Sequence, residues 1–265
     1  MSTAAIGDSG AWDWADAHNH LHDRRLAGAT DFTPPCIINA TCEEDWPDVL
    51  AAASALRHRA ALGVHPWFSA TARPGWQERL RRMLELHPSA AIGECGLDAK
   101  NPTSSLDDQS PVFNAHIRLA RELNRPLTIH CVGAWARLLE TLKRESPPAR
   151  WLIHSFNGSA EIARQLVHLG AYLSISGRAL HPSGAKILRV FQGITHSRIL
   201  LETDAPNQRP PASVITHPLP NHLNHPANLA AIGTAIAPHL GLTPSEFAKL
   251  TRENLASFFP LTASR

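Results

Sequence analysis

The sequence predicts an α/β fold, a (βα)8 TIM barrel formed as a single domain over residues 1–265, with its core at about 14–258. Three observations carry this expectation. Short apolar runs alternate with segments of helical period, the βαβα pattern of a parallel sheet. The alternation repeats about eight times, the number at which such a sheet closes on itself. Ionisable residues also recur where successive strands end, the face on which barrels of this type carry their sites.

Taken in order, the candidate strands lie near 13–17, 36–41, 60–64, 89–94, 126–130, 150–154, 171–176 and 198–203. Between them, apolar residues at i, i+3, i+4 spacing mark helices at 45–58, 76–87, 112–124, 134–145, 159–169 and 184–192. The stretch from Asn207 to Pro226 is polar and broken by prolines, which predicts a long irregular loop. Helices follow at about 226–239 and 244–258. The second opens on Thr243-Pro244-Ser245-Glu246, a threonine N-cap with proline in the first turn and glutamate three residues on. No repeat or linker divides the chain.

Composition narrows the functional class. The chain is 43% hydrophobic and 18% charged, with no apolar run long enough for a membrane span, which predicts a soluble protein without membrane contact. The first fourteen residues lack the basic and apolar regions of a secretory signal, so the cytoplasm is the expected compartment. Cys36, Cys42, Cys95 and Cys131 show no CxxC pairing and read as thiols. A formal net charge of +2 with no Lys/Arg run excludes the broad basic footprint of a duplex-binding protein. Sixteen histidines exceed what packing or solubility calls for, which marks several as ligands.

Asp16-Ala17-His18-Asn19-His20 stands where the first strand ends, and an H-x-H pair on extended backbone directs both imidazoles to one side. Ionisable groups recur at the ends of the other strands: His65 after the third, Glu94 on the fourth, His130 on the fifth, His154 on the sixth, Glu202 and Asp204 on the eighth. Imidazole and carboxylate together suit zinc, manganese or magnesium, and six candidate ligands exceed one tetrahedral site. The expectation is two divalent ions. His18, His20 and Asp204 hold one, His130 and His154 the other, and Glu94 bridges them. Ions about 4 Å apart can share a nucleophile and steady a leaving oxygen. Asp204 is the candidate general base as well as a ligand, and Asp16 and Glu202 orient ligands from behind. His65 either faces the substrate or is structural. Phe156 and Asn157 are candidates for lining the pocket, Phe156 equally for packing at the rim. Strand alternation turns Cys95 and Cys131 away from the site. His181, His217, His222 and His225 brace or decorate loops. The chain carries no GxSxG elbow, GxxxxGK[ST] loop or GxGxxG fingerprint, so nothing supports serine-hydrolase, P-loop or dinucleotide chemistry, and no organic cofactor is expected.

These motifs resemble those of the TatD-type metal-dependent deoxyribonucleases, a branch of the amidohydrolase-like barrels. The resemblance covers roughly 14–258. It rests on Asp16-Ala17-His18-Asn19-His20-Leu21, Gly63-Val64-His65-Pro66-Trp67, Gly93-Glu94-Cys95-Gly96-Leu97-Asp98, Pro126-Leu127-Thr128-Ile129-His130-Cys131, His154-Ser155-Phe156-Asn157-Gly158-Ser159 and Leu201-Glu202-Thr203-Asp204-Ala205-Pro206. It implies exonuclease-type hydrolysis of phosphodiester bonds in DNA with two divalent ions on the ligands named above. Two departures bear on substrate. Val132-Gly133 stands where the family usually carries Arg-Asp, removing a natural phosphate partner. Ala99-Lys100-Asn101-Pro102 replaces an aromatic and basic stretch, with Lys100 still able to meet a phosphate. The late Asn-x-Pro pattern persists as Asn224-His225-Pro226.

Three function classes therefore compete: a deoxyribonuclease with DNA as substrate, a small-molecule hydrolase acting on a lactone, amide or phosphoester, and a metal-binding protein without turnover. A monomer or small homo-oligomer suits each.

Overall fold

The structure, a computed structural model, describes residues 14–29 and 34–260. The N-terminal stretch read for targeting lies outside the described residues, except for Trp14. Eight strands form one parallel sheet in sequential order: β1 (Asp16–Asn19), β2 (Cys36–Asn39), β3 (Arg59–Leu62), β4 (Ala91–Asp98), β5 (Leu127–Val132), β6 (Trp151–Ile153), β7 (Tyr172–Ile175) and β8 (Ile199–Leu201). The helices are α1 (Trp46–Leu56), α2 (Trp76–Leu86), α3 (Leu106–Glu122), α4 (Trp135–Glu145), α5 (Ala160–His168), α6 (Ala185–Gln192), α7 (Leu229–Ile236) and α8 (Pro244–Phe258). Every expected strand is present in the expected order. A right-handed βα crossover is what a parallel pair requires, so this alternation leads to a barrel.

Closure between the first and last strands is made just beyond β8. Asp204 N donates to His18 O at 2.9 Å and His20 N to Ala205 O at 2.8 Å. Asp16 clamps the same seam: its carboxylate accepts from Thr203 N at 3.0 Å and Thr203 Oγ1 at 2.5 Å. The expected ligand-orienting Asp16 therefore acts on Thr203, Asn19 and the His18 backbone rather than on an imidazole. Its burial raises the carboxyl to about 7 against the lowering effect of the Thr203 and Asn19 hydrogen bonds.

Strand alternation sorts the apolar residues into two cores. Ile38, Leu62, Ile92, Ile129, Ile153 and Leu201 belong to the core shared with the helices. Their neighbours Ile37, Ala61, Ala91, Leu152 and Leu200 form a second cluster with Phe258 and Phe259 from the end of α8. The second set fills the barrel interior, alanines facing larger side chains so that the volume closes.

Three boundaries differ from expectation for physical reasons. β1 starts at Asp16 rather than near 13 because Trp14 leaves the ladder to pack edge-on against Phe247, with ring centroids 6.0 Å apart. α3 starts at Leu106 rather than 112, since Ser105 and Asp108 form a reciprocal capping box that sustains a polar first turn and an internal Pro111. α7 is shorter than expected because Pro226–Asn228 and Ala237–Leu240 are 3-10 turns at its two ends. The proline-rich loop is irregular apart from a 3-10 turn at Ala212–Val214 and a bridge between Pro218 and Asn224. Asn228 Oδ1 braces it, accepting from Thr216 N at 3.0 Å and His217 N at 2.9 Å. Among the described residues no helix is long and apolar enough to cross a membrane.

Candidate metal centre

Where the strands end, the buried chemistry converges. His18 is on β1 with His20 just past it, His65 follows β3, Glu94 is on β4, His130 on β5, His154 directly follows β6, and Asp204 lies three residues past the end of β8. The register of β4 shifts between Ile92 and Cys95, a bulge that re-aims Glu94. Gly96, at φ +145°, makes the next contact possible: a Cβ there would lie 2.0 Å from His130 O. Asp204 holds φ +53°, a left-handed conformation that aspartate tolerates better than most residues, pinned by Asn207 N donating to its carbonyl at 2.8 Å.

The two oxygens of Glu94 divide the cluster into halves. In the first, His18 Nε2 lies 3.3 Å from His20 Nε2, 3.3 Å from Glu94 Oε2 and 3.6 Å from Asp204 Oδ1. His20 Nε2 lies 3.6 Å from Glu94 Oε2 and 3.4 Å from Asp204 Oδ1. Ligand atoms about 2.0–2.1 Å from a tetrahedral ion stand roughly 3.4 Å from one another, so these four atoms have the spacing of a coordination shell. Two facing imidazole nitrogens and an Asp204 Oδ1 without a hydrogen-bond partner fit a cation at their centre. In the second half, Glu94 Oε1 lies 2.9 Å from His130 Nδ1, 2.8 Å from His154 Nε2 and 3.3 Å from His65 Nε2. His130 Nδ1 and His154 Nε2 are 3.1 Å apart. The residues present therefore fit divalent metal in both halves.

The surroundings hold these groups in place. His20 Nδ1 meets Asn39 O at 2.8 Å, which directs Nε2 to the cluster. Glu202 Oε1 stands 3.6 Å from His154 Nδ1, and Ser174 Oγ donates to the other oxygen of Glu202. Two positions escaped the sequence reading. Asp98 Oδ2 lies 3.3 Å from His130 Nε2 and accepts from Trp67 Nε1 at 2.8 Å, so it orients His130. The signal was available, because Asp98 is four residues after Glu94 on one strand and an even spacing keeps a face. Gln208 donates to Asp204 Oδ2 at 2.7 Å while its Oε1 accepts from Ser155 Oγ at 2.8 Å and Ser176 Oγ at 2.5 Å. Nothing in a polar loop singles it out.

Electrostatics follow from crowding. Burial alone would raise the Glu94 carboxyl, yet His154, His65, His18 and the His130 hydrogen bond together hold it well below its ordinary value. Burial likewise opposes the shift at His20, where Asp204 and Glu94 prevail and raise the imidazole to about 9. Burial dominates at His18, which is lowered with help from the His154 charge. Asp204 is held low, since its His20 hydrogen bond and the His18 and His154 charges exceed the cost of burial.

The cluster opens into a cleft of about 800 Å³ lined by His65 and Asn157 among others. Phe156 does not line it: that ring is buried between Trp135, at a centroid distance of 5.2 Å, and Phe191, at 6.3 Å. It reaches only the neighbouring cleft described below. Cys95 is buried in the core and away from the cleft, as alternation predicts, whereas Cys131, though buried, contributes to the cleft wall.

A parallel (βα)8 barrel with buried imidazoles and carboxylates gathered at the strand ends defines a metal-dependent hydrolase. The family model described as TatD related DNase matches residues 15–260, and the chain belongs to that family. The metal-dependent hydrolase YabD of Bacillus subtilis is 34% identical over 204 residues, 76% of each chain. A protein named 3'-5' ssDNA/RNA exonuclease TatD from Citrobacter koseri is 31% identical over 201 residues, 74% of this chain and 76% of that one. The crystal structure of YjjV, a TatD homologue from Escherichia coli K12, superposes with a TM-score of 0.86 at 25% identity, covering 95% of this chain and all of the other.

Proposed function

We propose that the protein is a two-metal exonuclease that removes nucleotides from the ends of single-stranded DNA or RNA. The observation that carries this reading is Glu94, whose two oxygens face two separate sets of ligand atoms at the floor of one open cleft. His18, His20 and Asp204 would hold one ion, His130 and His154 the other, and Glu94 would offer one oxygen to each. His65 Nε2 stands close enough to Glu94 Oε1 to join the second set, which supports a ligand role for it beside the substrate-facing one. Five imidazoles against two carboxylates favour zinc over magnesium or manganese, which prefer oxygen donors. Relatives named as exonucleases of single-stranded DNA and RNA supply the substrate class.

Bound divalent ions would supply Lewis-acid polarisation of the phosphoryl group and make water a nucleophile at neutral pH. The chain's own groups do the rest. Asp204, held ionised by its histidine neighbours, accepts the proton of the attacking water at Oδ1, while Gln208 fixes its other oxygen. Asp98 and Glu202 keep His130 and His154 from rotating away. Asn157 lines the cleft wall, which supports a role in contacting the substrate. Four free cysteines suit a reducing compartment, which supports the cytoplasm.

A second reading has its own observation. Glu44, Asp45 and Asp48 line one side of the cleft, a surface unfriendly to a polyanion and suited to a small neutral ester or amide. The test is release of mononucleotides from end-labelled single-stranded DNA and RNA by metal-stripped protein restored with manganese, zinc or magnesium. Hydrolysis returning with metal and falling at least about 100-fold in Asp204→Asn is the expected result. Protein carrying two ions per chain by elemental analysis, yet silent on every oligonucleotide, overturns the nuclease in favour of the small-molecule hydrolase.

A further inference from the structure

A second cleft of about 670 Å³ adjoins the metal cleft, the two sharing Val132, Ser155, Asn157 and Arg178 in their walls. Their charges differ in character. The metal cleft mixes carboxylates, including Glu44, Asp45 and Asp48, with Arg24 and Arg25, whereas no Asp or Glu lines the second. Lys100, Arg178 and Lys186 do, and none of their charged ends has an ion-pair or hydrogen-bond partner among the described residues. Other arginines are committed: Arg25 to Asp23, Arg79 to Glu43 and Arg81 to Glu122. Three unpaired cations around one concavity form an anion site.

An aromatic ring completes the chemistry. Trp135, half-buried and backed by Phe156, lines the second cleft beside Gly133, where φ is +68° and an added Cβ would meet only Ala99 Cβ, at 3.5 Å. The Val132-Gly133 departure thus opens the passage between the clefts, and Arg178 brings a guanidinium to that passage from the turn after β7. Cations tracking a backbone next to an exposed aromatic face are how single strands are held without sequence preference.

We infer that the second cleft is the track for the body of a single-stranded nucleic acid whose terminal nucleotide sits in the metal cleft, with Arg178 at the junction, Lys100 and Lys186 on phosphates, and Trp135 under a base. This rests on the nuclease reading above. The strand leaves the metals away from Glu44, Asp45 and Asp48, so a near-neutral protein needs no broad basic surface.

The test is steady-state hydrolysis of (dT)2, (dT)4 and (dT)12 by manganese-loaded enzyme from 25 to 200 mM salt, comparing wild type with Lys100→Ala/Lys186→Ala and Trp135→Ala. Lys143→Ala, on α4, is the control for loss of a surface charge. For (dT)12 the double variant is expected to raise KM about tenfold with kcat retained and to flatten the salt slope by about 1.4, two phosphate contacts at roughly 0.7 each. The KM shift should grow with length from (dT)2 to (dT)12, and Trp135→Ala should raise KM without changing the salt slope. Wild-type cleavage with equal KM and equal slope in the double variant overturns the track and leaves the nuclease standing. No cleavage by wild type at any length overturns the nuclease, and the track with it.

Discussion

His116 shows how a single buried histidine can carry stability without touching the metal site. Its Nε2 accepts from Val64 N at 3.1 Å and its Nδ1 lies 2.8 Å from Val112 O, so the ring is the neutral tautomer. It stacks on Trp76 at a centroid distance of 4.7 Å and fixes the backbone just before His65. Burial lowers its pKa to about 4, with the Val112 hydrogen bond only partly opposing. The unfolded ring titrates near 6.5, so the contribution is whole above that value and is lost as the pH falls towards 4. At pH 5 the loss is about 2 kcal/mol. Urea denaturation of wild type and His116→Gln should show wild type more stable at pH 7.5 and that gap narrowed by about 2 kcal/mol at pH 5. The titrations of the metal cluster are common to both proteins and cancel. An unchanged gap between the two pH values would remove the neutral-histidine account.

The elements were legible wherever burial imposed a period. Each strand reads as an apolar run because both its faces are covered, and α8 was legible to its first residue through Thr243 and Glu246. The start of α3 was hidden because a turn built on Ser105 and Asp108 has no apolar stripe, and Pro111 looks like a terminator. The candidate ligands stand out in the sequence because the ends of six of the eight strands carry them. Gln208 does not, since its role exists only through partners on other elements; Asp98 offered a signal only in its even spacing from Glu94. One element boundary yields a sharp test. β4 and β5 approach so closely at Gly96 that a methyl group meets the carbonyl of His130, and φ +145° is strained for any L side chain. Gly96→Ala is expected to cost about 2–4 kcal/mol and to displace His130, lowering metal affinity at the second half of the cluster first. Metal titration of the variant should give one ion fewer per chain than wild type. Full metal binding at wild-type stability would show that the strands can part without consequence.

At the scale of the molecule, the ends of six strands bring five imidazoles and two carboxylates into one buried volume, an arrangement that costs desolvation unless the charges are matched. Without metal, matching falls to protons: against the cost of burial, His20 rises to about 9 through Asp204 and then Glu94, and His154 rises well above its ordinary value through Glu94 and then Glu202. Metal ligands must give those protons up, so loading at pH 7 should release them. Calorimetric titration in two buffers of different ionisation enthalpy measures the number, and between one and two protons per chain is expected. The same exchange links metal to the fold, since the unfolded chain has no comparable site. At 100 times the dissociation constant each ion adds about 2.7 kcal/mol, so two add about 5 kcal/mol and raise Tm by roughly 10 °C or more in a chain of this size. A chelator should therefore lower Tm by that amount, and manganese or zinc should restore it. A metal-free protein that melts where the loaded one does, and takes up metal without releasing protons, would mean that the cluster is held by the barrel alone and that its histidines are neutral before metal arrives.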